Sequence, residues 1–265
     1  SLHDALPIYE LTRAGPDFYL TMDILTNPYL NVIFNALISG GAFLCFVLAI
    51  STLAFKHPRR SSSYLTLLCF VMGVTQLYAW LNLNTIFFSP QWTNYIFVGI
   101  NFFIGPGVYY FYKATGDENF NPTRKVQWTF APGIAATLLI PLINLVAPQA
   151  MPTDPRQFFY TGKPSFIDII FTIAMLHNAG YYVKLFLVTR PIIKSNPEMQ
   201  KNGGLTAFLL FFGIISFINL YGIFAYVSRD IRHFYADSCI ITLLIVSFLI
   251  FALRYPHYFL KIRPE

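Results

Sequence analysis

Seven long apolar stretches, separated by short segments that hold most of the charge, constrain this 265-residue chain more than any other feature. They cover residues 29–55, 64–83, 95–112, 126–146, 166–188, 205–227 and 235–253. A helix needs about 20 mainly apolar residues to cross a hydrocarbon core about 30 Å thick, whereas strands usually run to about six residues. The runs therefore predict an all-α fold, an integral membrane bundle of seven transmembrane helices embedded in a lipid bilayer. Charged residues make up only 11% of the chain, against about 25% in soluble domains. That is too little charge to cover a water-exposed surface of this size.

The net charge of +6 does not point to nucleic acid, because the basic residues are not gathered on one element or face. They follow the pattern of a membrane protein, in which Lys and Arg are retained on the cytoplasmic side. One set of loops holds thirteen of them: Lys56, Arg59 and Arg60; Lys113, Arg124 and Lys125; Lys184, Arg190, Lys194 and Lys201; Arg254, Lys261 and Arg263. The alternate set holds five: Arg13, Arg156, Lys163, Arg229 and Arg232. This asymmetry places the first set inside, the amino end outside and the carboxyl end in the cytoplasm. Trp92, Tyr95, Trp128, Tyr235 and Tyr255 fall near span ends, where an aromatic belt is expected. Cys45, Cys69 and Cys239 all lie in apolar stretches with no paired spacing and read as buried thiols, neither disulfide nor metal ligands.

The beginning of the chain reads differently. Residues 1–8, SLHDALPI, are the direct translation of TCC CTA CAC GAC GCT CTT CCG ATC, the end of a common sequencing adapter, and such segments are set aside before fold reasoning. Residues 9–28 then form an N-terminal tail or untranslated leader, with Met22 as a native start. A gene bounded by an adapter is also expected to run on past Glu265. The domain plan is thus a seven-helix unit over 29–253 and a cytoplasmic connector over 254–265.

Titratable side chains at mid-bilayer are expensive, about 2.5–3.5 kcal/mol on insertion scales, so the few present are candidates for function. His177 lies mid-way along the fifth span, with Asn178, Tyr181 and Tyr182 on the same helical face. That face either binds a polar ligand or joins helices, with His177 neutral and paired to Asn101, Gln76 or Asn219. Asp168 is expected to face water or a Lys, and Asp237 to serve the N-terminus of the seventh helix. The third span contains Asn101-Phe-Phe-Ile-Gly105-Pro106-Gly107-Val-Tyr109. A proline there removes a helical hydrogen bond and glycines permit close helix contact, so this span is predicted to be bent or tightly packed. No catalytic set is visible: there is no His-x-x-x-His pair, no mid-span Lys in the seventh helix for retinal, and no Gly-x-Ser context near a mid-span His. No cofactor or metal is expected, and the chain does not read as an enzyme.

Three further segments carry a family likeness: Gly105-Pro106-Gly-Val-Tyr109-Tyr-Phe-Tyr112, then Asp117-Glu-Asn-Phe120 with Arg124-Lys125, and Trp128-Thr-Phe-Ala-Pro132. Together they resemble the multi-helix sensor modules that precede an AraC-type helix-turn-helix domain in bacterial membrane-bound transcription regulators. The likeness extends over about residues 29–260, including His177, Gly180 and Tyr181 and the closing Arg254-Tyr-Pro256. Trp128 departs from the His common at that position, and no helix-turn-helix region is present. The resemblance implies a sensor in the bacterial inner membrane that passes an unidentified small-molecule or membrane signal to a cytoplasmic output. DNA would be reached only through a domain beyond this chain, and a homodimer is among the expected partners. A small transporter or channel, with a polar path through His177, Asn101, Gln76 and Asn219, is the alternative. The lack of repeats and the scarcity of charge weigh against it.

Overall fold

The computed structural model describes residues 27–54, 60–84, 86, 91–116, 120–152, 164–195, 204–228 and 230–254. The adapter-like start, Met22, Tyr255 and the connector beyond Arg254 lie outside them. Among the described residues the chain is helical throughout, without strands. The α-helices are α1 (Pro28–Leu53), α2 (Arg60–Leu83), α3 (Ile96–Asn101), α4 (Ile104–Gly116), α5 (Arg124–Trp128), α6 (Ala131–Val146), α7 (Phe166–Ser195), α8 (Gly204–Val227) and α9 (Ile231–Arg254). The pairs α3–α4 and α5–α6 each occupy one apolar run, so the nine described helices form seven rods. Among the described residues five stretches are long and apolar enough to cross a membrane: Pro28–Leu53, Ser62–Leu83, Trp92–Ala114, Arg124–Val146 and Phe166–Arg190.

Local chemistry sets where the helices start. Asn27 caps α1, its side-chain oxygen accepting from the Tyr29 and Leu30 amides at 3.1 and 3.3 Å, and Pro28 takes the first turn, where no N–H is needed. At α7, Asp168 Oδ2 accepts from the Ser165 amide and hydroxyl. With the Ser165 hydroxyl close to the Asp168 amide at 3.4 Å, this is a reciprocal capping box. Asp168 is therefore buried against its own helix start and does not face water. At α9 the capping carboxylate is Asp230, which accepts from the Arg232 amide at 2.9 Å. The sequence reading gave that task to Asp237, but α9 begins at Ile231, so Asp237 sits nearly two turns inside and is buried.

Six rods close into a ring: α1 packs on α2, α2 on α4, α4 on α7, α7 on α8, α8 on α9, and α9 on α1. Helix α6 stands outside the ring, packed on α3. Its outward residues Leu138, Leu142, Leu145 and Val146 are exposed, as suits a lipid-facing surface. Polar side chains fasten the ring where helix-to-helix contact offers no hydrophobic advantage over lipid. Thr242 Oγ1 donates to the Leu37 carbonyl at 3.0 Å and Gln76 Nε2 to the Ser238 carbonyl at 2.8 Å, tying α9 to α1 and α2. Asn84 Nδ2 donates to Asn35 Oδ1 at 2.6 Å, and Thr52 meets Thr66 hydroxyl to hydroxyl at 2.6 Å, joining α1 to α2 at both ends. Of the expected aromatic belt, Trp128 is exposed, whereas Tyr95 and Tyr235 are buried. Tyr95 points inward because its hydroxyl donates to the Pro152 carbonyl at 2.7 Å. All three cysteines are buried and free.

Candidate functional site

The sharpest departure from regular helix lies between α3 and α4. In an unbroken helix the Gly105 N–H would donate to the Asn101 carbonyl, four residues back. Here Phe102 and Phe103 donate instead to the carbonyls three residues back, Gly99 and Ile100, at 3.2 and 3.0 Å. The gap this opens is filled by a side chain from α7. Asn178 Nδ2 donates to the Asn101 carbonyl at 3.0 Å, and the Gly105 N–H donates to Asn178 Oδ1 at 2.8 Å. One primary amide thus joins the severed donor and acceptor, a side-chain insertion into the helical ladder.

The neighbouring residues explain why the break is tolerated. Pro106 stands in the first turn of α4, where its missing N–H costs little. A Cβ on Gly105 would lie 2.8 Å from both Asn178 Cα and Oδ1, so only glycine lets α7 approach this closely. Asn178 is 0% exposed. Two buried backbone groups depend on it, and each would cost about 1–3 kcal/mol unpaired.

The sequence candidates thus divide. Asn101, Gly105, Pro106 and Asn178 form one contiguous device, and the residue that joins the helices is Asn178. His177 is not paired with Asn101, Gln76 or Asn219: one position along α7 turns it about 100° away, and its ring rests on Phe102 and Tyr181, with centroids 5.4 and 5.1 Å away. Its Nδ1 has no hydrogen-bond partner among the described residues. Tyr109 and Tyr181 meet edge to face at 5.8 Å. Lys184 Nζ lies 4.7 Å and Lys113 Nζ 5.3 Å from the Tyr109 centroid, so one ring serves two ammonium groups.

Inside the ring is a cavity of about 160 Å³. Its wall is mainly apolar, with Cys45, Leu68, Cys69, Met72, Phe97 and Phe171 among the lining side chains. Its polar lining residues include Thr75 and Ser238 and, with unpaired side-chain atoms, Asn101 from α3, Asn219 from α8 and Asp237 from α9. The last three are 3%, 7% and 8% exposed. Asn101 Nδ2, Asn219 Oδ1 and Asp237 Oδ1 each lack a hydrogen-bond partner among the described residues. The Asn219 amide nitrogen reaches only the Met175 sulfur, at 3.7 Å, and Met175 and Asp237 both crowd Gly222, placing Asn219 and Asp237 in one neighbourhood. His177 and Gln76 are not among the lining residues.

No family model, curated protein or solved structure matches this chain. The sequence reading did not single out Asp237 as a cavity residue. Its signal, an acidic residue between Tyr235 and Ser238 in an otherwise apolar run, was visible but was attributed to a helix start.

Proposed function

We propose that the chain is the signal-sensing module of a bacterial membrane-bound regulator, crossing the inner membrane seven times with its amino end outside and its carboxyl end in the cytoplasm. Apolar rods and the distribution of basic residues support the topology. The observation that carries the sensing role is the Asn178 amide inserted into the break between α3 and α4. Such a joint has two natural arrangements. In one, Asn178 bridges Asn101 and Gly105; in the other, α7 withdraws and the third span recloses its own hydrogen bond. A signal that favours one arrangement by differential binding shifts the populations. The output, a helix-turn-helix regulator by the sequence resemblance, would be coupled through α9 and the segment after Arg254.

Two experiments test this. A fluorescent protein fused after Arg254 is expected to fluoresce and a phosphatase fused there to be inactive; the reverse pattern overturns the orientation. For the joint, spin labels at K113C and K184C report the separation of α4 and α7. Asn178→Leu is expected to add a second distance population. A single distribution identical to that of the parent overturns the two-arrangement reading.

A further inference from the structure

The inner cavity combines a size, an apolar wall and three orphaned polar atoms that together specify a ligand. An apolar cavity of about 150 Å³ stays free of water and takes up a benzene-sized molecule. This one, at about 160 Å³, has a comparable volume and a mainly apolar wall. Its polar atoms come from three different helices, α3, α8 and α9, so they converge by tertiary packing and not by local sequence. Buried polar groups in native proteins are almost always partnered, and a lone unpaired one costs about 1–3 kcal/mol. Three around one apolar cavity form a recognition set: an amide donor at Asn101, an amide acceptor at Asn219 and a carboxyl oxygen at Asp237.

The charge of the lining narrows the choice. Among the described lining residues there is no Lys, Arg or His, so a carboxylate or phosphate head would be buried beside Asp237 without a counter-charge from them. A head that donates hydrogen bonds satisfies both Asn219 and Asp237. We propose that the cavity binds a small, mostly apolar molecule of about benzyl size whose single polar end is a hydrogen-bond donor, an amine or an alcohol. Its body would lie against Phe97, Phe171 and Met72, and its head between Asn219 and Asp237. Naming this pocket as the input of the module rests on the sensing reading above, whereas the binding does not.

The test uses matched probes, benzylamine, benzyl alcohol, benzoate and toluene, with the full chain in detergent micelles and adducts counted by native mass spectrometry. A saturable one-to-one adduct is expected with benzylamine or benzyl alcohol, and at least tenfold weaker binding with benzoate and toluene. Asn219→Leu, matched in size, is expected to weaken the donor-headed probe about tenfold. Cys69→Phe, which adds bulk at an apolar lining position, should abolish the adduct while leaving the head groups unsubstituted. Asp237→Asn separates the two chemistries: a benzylamine adduct of the parent is expected to be lost, which assigns an amine site, whereas a parent that takes up benzyl alcohol and not benzylamine, and keeps that adduct in the variant, assigns an alcohol site. Equal binding of all four probes, or an adduct indifferent to both Asn219→Leu and Cys69→Phe, overturns the proposal. An adduct that leaves the K113C–K184C distance unchanged upholds the pocket and removes its role as input.

Discussion

Asn178 and Asp230 show how much single polar side chains decide in this chain. Asn178→Leu keeps the volume but leaves the Asn101 carbonyl and the Gly105 amide unpaired in an apolar interior. A loss of about 2–4 kcal/mol is expected in denaturant unfolding from micelles. Asp230 sits in the turn between α8 and α9, where its bond to the Arg232 guanidinium holds its carboxyl below the ordinary value. A carboxyl depressed in the folded state contributes stability that is present above the unfolded pKa and is lost as the pH falls through the folded one. Asp230→Ala is therefore expected to cost about 1 kcal/mol at neutral pH as a lost cap. Parent and variant should converge in thermal melts as the pH falls through that depressed pKa. A difference as large at the acid end of the titration as at neutral pH would sink this account.

Among elements, the broken third span depends on which glycines touch something. Gly105 meets Asn178 backbone, whereas an added Cβ on Gly180 has nothing within 4 Å. Gly105→Ala is expected to destabilise by about 1–3 kcal/mol through overpacking. Gly180→Ala should stabilise by about 0.5–1 kcal/mol, since glycine within a helix carries an entropic cost. Comparable melting points for the two variants would contradict the packing. Helix existence was legible because apolar runs of span length leave few alternatives, and Gly105-Pro106-Gly107 marked the break. The inward face was not legible. In helices that are apolar on all sides, lipid and protein interior demand the same residues, so periodicity no longer points to the core. His177 and Asn178 are adjacent in sequence, and only the rotation of α7 against α4 selects Asn178. Asp237 was misassigned because α9 starts four residues before the apolar run does.

At the scale of the whole molecule, the ring is sealed by its two ends: α9 returns to α1 through Thr242 and to α2 through Gln76. Biosynthesis must respect that order. Helix α9, 24 residues long, is made after the other rods and supplies Asp237, one wall of the cavity and the carbonyl that receives Gln76. Until it arrives, Gln76 and Asn219 would face lipid, and a nascent chain with that interior on display is a substrate for membrane proteases. A chain ended before Ile231 is expected to be cleared several-fold faster than the full one in a pulse-chase measurement. Equal half-lives would mean that the first six rods close without the seventh. Faster clearance makes α9 the quality seal on the bundle's synthesis, since only a chain that includes it hides the polar groups that mark an unfinished ring.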